Sequence, residues 1–307
     1  MKKIKHKTSR LKQFFSEDIW AMEMEKLSKA RARFIKYVKV LIITVKTYSQ
    51  QKVGPRATAL SYLTVMAVVP FLALVFGITG GLGLDDNLRE LMYTNFSGDS
   101  VDLVLNFANN IIKTAQSGWM GLFSALLFIW IIVKLMMNVE AAFNNVWQVT
   151  QSRKIVRRFT FYLAILLISP LIVFILFAGS FVYSNALDYI GILNLEDFSL
   201  VKKFISWALF VVVVAFTFSA MYKFIPNYKV DYLTALRAAF FAAIAFGIVE
   251  FLYLETQLFV TRLNGVYGTF AAVPLFMIWL EISWNIILIG AEVTYAFQHV
   301  DTYNTED

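Results

Sequence analysis

The sequence predicts an all-α integral membrane protein: a six-transmembrane-helix bundle, N-in and C-in, flanked by interfacial amphipathic helices. Three observations carry that expectation. The 307 residues are 59% hydrophobic and only 16% charged, whereas a soluble domain holds roughly 45–50% apolar and about 25% charged residues. Mean hydropathy is +0.63, and the apolar residues gather in runs of about 20, the length a helix rising 1.5 Å per residue needs to cross the hydrocarbon. Lysine and arginine fall mainly on alternate connections, which fixes orientation.

Six stretches qualify as spans, roughly 57–80, 119–139, 160–184, 204–225, 233–255 and 270–297. Fifteen of the 28 basic residues precede the first span, four lie at Arg153, Lys154, Arg157 and Arg158, and three (Lys223, Lys229, Arg237) lie between the fourth and fifth. The other side holds five: Arg89, Lys113, Lys202, Lys203 and Arg262. Both ends are therefore expected inside. The organisation that follows is a basic cytoplasmic segment (1–32), an interfacial amphipathic helix (33–56), a membrane domain (57–298) and a short tail (299–307). Residues 81–118 form an extracytoplasmic loop. The basic start, Met1 to Arg10, is not followed directly by an apolar stretch, so no cleaved signal peptide is expected.

Two segments read as amphipathic. In 33–48, Arg33, Lys36 and Lys46 cluster on one side and Ile35, Val38, Ile42 and Val45 on another. It is too short and too charged to span, and either lies on the interface or packs on the bundle as a soluble helix would. In 101–115, Val101, Val104, Leu105, Ala108, Ile111 and Ile112 make a stripe opposite Asp102, Asn106, Asn109, Asn110 and Lys113. It would cap the bundle, lie in the outer leaflet or gate an entrance.

Four ionisable residues sit within spans, where each costs roughly 2.5–3.5 kcal/mol at the bilayer centre: Lys134, Glu250, Glu281 and Glu292. Glu281, Asn285, Leu288 and Glu292 share one helix face by their spacing and should turn away from lipid. Lys134 and Glu292 have similar depth and opposite sign, so they could pair. Ala235, Ala239, Ala243 and Gly247 repeat every four residues, a seam that permits close helix approach, and Glu250 continues it. These charges fix helix register as buried pairs or line a substrate or ion route together with Arg56. Pro70 and Pro274 should kink or interrupt their helices.

There are no cysteines, and the two histidines, His6 and His299, lie in the terminal segments. Disulfides, thiolate chemistry and a histidine metal cluster within the spans are excluded. No GxxxxGK[ST] loop is present, so direct nucleotide drive and a bound cofactor are not expected. The net charge of +7 suits anionic lipid headgroups rather than nucleic acid, for which no recognisable platform exists.

The stretches 56–70 (RATALSYLTVMAVVP) and 267–292 (YGTFAAVPLFMIWLEISWNIILIGAE) resemble the YihY/BrkB family of bacterial inner-membrane proteins. The resemblance rests on Ala59, Leu60, Tyr62 and Pro70, then on Tyr267, Gly268, Pro274, Trp279, Trp284, Gly290, Ala291 and Glu292, with a weaker match at Asn144 and Trp147. It covers roughly residues 40–298 and implies a six-span protein of the inner membrane. Family members are labelled virulence or serum-resistance factors, with lipid transport proposed. A ribonuclease label also circulates, but this chain offers no His/Asp metal cluster for nuclease chemistry. Glu281 and Asn285 depart from the mainly apolar or tyrosine-like residues expected at those positions.

The leading expectation is a transporter or flippase-like protein for a lipid or other anionic amphiphile. The runner-up is a non-catalytic envelope scaffold that recruits partner proteins through its basic N-terminus. An intramembrane enzyme using Ser61, Ser169 or Glu281 is a third reading, and not the expected one: no motif groups a nucleophile with a base. The sequence does not specify an oligomeric state.

Overall fold

The computed structural model of the protein describes residues 19–21, 28–81, 118–149, 153, 199–263 and 265–303, with scattered positions between 86 and 113. Among the described residues, a single helical turn at Ile19–Ala21 is followed by six long helices: α1 Lys29–Gln50, α2 Val53–Gly81, α3 Gly118–Val146, α4 Ser199–Phe224, α5 Tyr232–Leu263 and α6 Gly265–His299. All regular structure among the described residues is helical. Five of the six expected spans fall on α2 to α6, and the third (160–184) lies outside the described residues.

Four of these helices are long and apolar enough to cross a membrane, over Leu126–Val146, Trp207–Phe224, Tyr232–Thr256 and Pro274–His299. Only about a third of each window is buried inside the protein. The remaining surface is apolar: on α3 alone Trp119, Leu122, Phe123, Leu126 and Trp130 are exposed. Side chains of this kind turned outward on long helices need hydrocarbon as their solvent.

The chain divides into two compact units. The first holds residues 1–59, 140–152 and 207–307, and the second holds 60–139 and 153–206. In the second, Val101 and Leu105 are buried while Asp102, Asn106, Asn110 and Lys113 are exposed. Val104, Ala108, Ile111 and Ile112 of the expected stripe lie outside the described residues. In the first, α5 and α6 are neighbours along their length and α1 lies against α6. Ala235, Ala239 and Ala243 are fully buried, and Ala243 meets Val211 and Ala215 of α4. A side chain at Gly247 would touch the Trp207 indole at 3.4 Å. The small-residue seam thus works as spacing for a neighbouring helix.

Three expectations need correction. Neither proline interrupts its helix: Pro70 sits inside α2 and Pro274 inside α6. A proline removes one intrahelical bond, and the long helix on either side keeps the rest. The stripe on α1 is also set differently. Its buried face is Lys39, Val40, Ile43, Thr44 and Thr47, and its exposed apolar residues are Phe34 (70% exposed), Tyr37, Leu41 and Val45. Val40 and Ile43 pack with Ala296 and Val300 of the α6 end, and Lys39 turns inward to place its ammonium 5.3 Å from the Trp20 ring. Finally, α3 runs to Val146 rather than ending near 139, which brings Glu140, Asn144 and Asn145 into a helix.

The start of α5 carries a pH-sensitive cap. Asp231 Oδ2 accepts the Thr234 hydroxyl at 2.7 Å and its backbone N–H at 2.9 Å. Those two bonds, the hydroxyl first, hold its carboxyl below the usual carboxylate range. A group whose pKa falls on folding stabilises the fold above its unfolded value, about 3.9 for aspartate, and loses that contribution as pH drops through the folded value. Acidification below about pH 4 is therefore expected to lower Tm more in the native protein than in Asp231→Asn, which keeps a capping oxygen without the charge. Equal pH profiles in thermal melts would contradict this.

Candidate functional site

Two helices have their C-terminal ends in the first unit, and both end in the same way. α1 stops at Gln50, with Gln51 N–H bonded to Thr47 O at 2.8 Å, and Lys52 then takes a left-handed conformation (φ 52°). α3 stops at Val146, with Val149 N–H bonded to Asn144 O at 2.8 Å, and Gln148 is left-handed (φ 51°). Neither turn uses glycine, so both store some backbone strain. Both release polar side chains beside the end of α6.

These ends line a cavity of 660 Å³. α1 and its cap contribute Thr47, Gln50 and Gln51; α3 and its cap contribute Asn145, Gln148 and Val149. The end of α6 adds Tyr295, His299, Thr302 and Tyr303. One wall is fixed by Arg56, which donates from Nη2 to Asn145 Oδ1 at 2.8 Å and from Nε to the Gln51 carbonyl at 3.3 Å. Asn145 Nδ2 donates to that same carbonyl at 2.9 Å. Acceptance from Arg56 and donation to Gln51 together set the amide's orientation.

Behind the α6 wall is an aromatic cluster. Trp147 is buried, stacks on Tyr228 at 4.9 Å and meets Tyr295 and His299 edge-on at 5.6 and 6.0 Å. His299 Nδ1 lies 2.9 Å from the Tyr295 carbonyl and Nε2 lies 3.2 Å from the Tyr228 hydroxyl. Since the carbonyl accepts only, Nδ1 carries a proton, while the Tyr228 hydroxyl can donate to Nε2 or accept from it. Asn144 extends the support: its Oδ1 accepts the Asn227 backbone N–H at 2.8 Å.

The polar face of α6 meets α1 and the start of α2. Thr58 donates to Glu281 Oε1 at 2.7 Å, and Tyr48 donates to Asn285 Oδ1 at 3.0 Å. Asn285 Nδ2 turns back to the Glu281 carbonyl at 2.9 Å. Glu292 is fully buried, and neither carboxylate oxygen has a donor among the described residues. The Thr47 hydroxyl lies beside it and is also 2.9 Å from the Ile43 carbonyl.

The other candidates are placed elsewhere. Glu250 on α5 lies against the Trp279 indole of α6, and the ring stacks between Tyr253 at 5.1 Å and Phe276 at 5.6 Å. Lys134 belongs to the second unit and its side chain is exposed, whereas Glu292 is buried in the first. Among the described residues no three histidine or acidic side chains gather as a metal site requires. Thr47, Asn145, Tyr295 and Tyr303 escaped the sequence reading because hydroxyls and amides at helix ends carry no hydropathy signal. The spacing of Tyr295 and His299 (i, i+4), like that of Asn145 and Gln148 (i, i+3), was the available clue.

The virulence factor BrkB family matches residues 44–307. The chain belongs to that family. Among the relatives it resembles is a UPF0761 membrane protein of Acinetobacter baylyi, 30% identical over 277 residues, which are 86% of this chain and 64% of that protein. One from Haemophilus influenzae is 27% identical over 83% of this chain and 93% of its own length. One from Vibrio vulnificus is 27% identical over 97% and 92%. The chain spans less than two thirds of several of these relatives, 58% of the one from Chromohalobacter salexigens. No solved structure matches. The chain is thus a membrane protein of the BrkB family.

The BrkB motif positions have definite surroundings. Gly290 lies against Tyr222 of α4, Trp147 centres the aromatic cluster, Asn144 holds the chain after α4, and Glu292 is the buried carboxylate. Pro70 and Leu60 are buried, Tyr62 is exposed, and Tyr267 and Gly268 fall in the first turn of α6.

Proposed function

We propose that this protein is a multi-pass transporter of flippase type in the inner membrane, acting on a lipid or another amphiphile with an anionic group. The supporting observation is the polar cavity at the end of α6, bordered by Arg56, on the helix that also carries Glu292, Asn285 and Glu281. Its 660 Å³ is within the ordinary range of small-ligand sites, about 300–1,000 Å³. From Glu292 to Glu281 the polar face of that helix covers about 16 Å, half of a hydrocarbon core of about 30 Å. Ile282 and Ile289 on the same helix are exposed, so a headgroup moving along the polar face would keep its acyl chains in lipid. The basic N-terminus supports an orientation with this end at the cytoplasmic leaflet. Transport is passive, ion-coupled or partner-driven, and the protein is not an enzyme.

A scaffold role is the second reading. It draws on the fixed partners of Glu281 and Asn285, which a register-setting polar face would also have. Proteoliposomes with a fluorescent phospholipid separate the two. The transport reading expects protein-dependent equilibration between leaflets, reduced several-fold by Gln50→Trp, which fills the cavity, and by Glu281→Gln. Equilibration no faster than in empty vesicles, with folded protein present, would remove transport and favour the scaffold. Deletion of residues 1–32 would then abolish function without loss of insertion.

A further inference from the structure

Helix α1 carries apolar side chains on two faces. Val40, Ile43, Thr44 and Thr47 are buried, while Phe34, Tyr37, Leu41 and Val45 stand 70%, 47%, 64% and 65% exposed. We infer that the exposed face sinks into the cytoplasmic leaflet beside α6. Leu41 and Val45 meet acyl chains there, and Lys29, Arg31 and Arg33 bind the phosphates of acidic phospholipids. The inference does not rest on the transport reading, because these residues lie outside the cavity lining.

Register along α6 sets the depth. Lys36 pairs with Asp301 at 3.1 Å, the Tyr37 ring meets Phe297 at 5.7 Å, and Val40 and Ile43 pack with Ala296 and Val300. Further on, Thr47 lies beside Glu292, and Tyr48 donates to Asn285 at 3.0 Å. These partners are spread over about 20 Å of α6, so α1 is tilted along that helix rather than laid flat on the surface. The membrane-crossing stretch of α6 ends at His299. Glu292 is about 10 Å inside that end. Leu41 and Val45 lie between Lys36 and Thr47, and therefore within this outermost part of the span. Interfacial helices bury their apolar faces to a similar depth, about 5–10 Å.

Charge selects the lipid. Helix α1 holds six basic residues and no acidic one. Three are engaged: Lys36 with Asp301, Lys39 over the Trp20 ring and Lys46 over the Tyr303 ring. Lys29, Arg31 and Arg33 are exposed. At about 100° per residue the exposed stripe covers an arc of roughly 80°, and Arg31 and Arg33 stand about 40° beyond its two edges. Guanidinium groups so placed reach phosphates on both sides while the stripe enters the acyl boundary. A second copy docked on this face by two-fold symmetry would bring two cationic sets together, and neutral lipid would leave the charges uncompensated.

The test uses single spin labels on the full-length protein in phospholipid nanodiscs, since the chain has no cysteine of its own. Labels at Leu41→Cys and Val45→Cys should be reached by oxygen, which concentrates in hydrocarbon, and shielded from an aqueous nickel chelate. A label at Arg31→Cys should show the reverse. Nickel reaching 41 and 45 as readily as 31 would place α1 clear of the bilayer. Neither reagent reaching them would show a face covered by protein. Either result overturns the inference. Leu41→Cys and Val45→Cys are independent readings, so loss of one variant leaves the other. The lipid preference is read by native mass spectrometry with phosphatidylglycerol and phosphatidylcholine. Replacing Lys29, Arg31 and Arg33 together by glutamine should weaken phosphatidylglycerol binding by about fivefold per charge and leave phosphatidylcholine binding unchanged. Equal loss of both lipids, or loss of neither, overturns the acidic-lipid assignment. None of these outcomes alters the leaflet-equilibration test of transport.

Discussion

Gly290→Leu is expected to leave no folded protein in the membrane, and Gly290→Ala to lower Tm. A Cβ at this position runs into the Tyr222 hydroxyl, with Tyr222 Cζ at 2.8 Å and Ala242 Cβ at 3.0 Å. Tyr222 cannot swing aside: it is fully buried, with Phe143 and Phe218 rings at 6.3 and 6.2 Å. Overpacking costs about 1–3 kcal/mol, only partly offset by the gain of about 1 kcal/mol in helix propensity from glycine to alanine. Leucine adds three more carbons to the same contact. The hydroxyl responsible has no hydrogen-bond partner among the described residues. Tyr222→Phe should therefore raise Tm by itself, since a buried unpaired polar group costs about 1–3 kcal/mol, and should partly rescue Gly290→Ala. Thermal melts of the two single variants and the double decide it. A neutral Gly290→Ala would show that α4 and α6 pack less closely than described.

Trp147→Ala carries the second large effect, a loss of about 3–5 kcal/mol for a buried aromatic reduced to a methyl group. Its ring is the common contact of Tyr228, Tyr295 and His299, and the last two line the cavity. Lipid binding should fall together with stability. Trp147→Phe keeps much of the ring and removes an indole N–H that has no acceptor among the described residues, so its cost should be far smaller. Melts with and without added phospholipid check both; an alanine variant as stable as the phenylalanine one would show that the cluster does not organise this end.

The helices were legible because long apolar runs have few alternatives: α2, α4, α5 and α6 lie where hydropathy puts them, with ends extended by several residues. The extensions of α4 and α5 have a common cause. Lys202 and Lys203, Glu255 and Arg262 are charged, so hydropathy stops there, but a helix continues through them once it leaves the hydrocarbon. The α6 polar face was legible from spacing alone. Its neighbours were not, since Tyr48, Thr47 and Thr58 belong to segments more than 200 residues away. The cavity was the least legible feature. It exists because two helices end at left-handed Lys52 and Gln148, and neither residue announces that conformation as glycine would.

Everything functional depends on whether a lipid headgroup enters the polar space between the ends of α1, α3 and α6. An electron-microscopy map of the protein in phospholipid nanodiscs tests this most directly. The account predicts headgroup density within reach of Gln50, Asn145, Gln148 and His299, with its acyl chains leading outward along α6. A cavity holding water alone in a lipid-saturated sample, with Glu281 and Asn285 still closed on Thr58 and Tyr48, would contradict it.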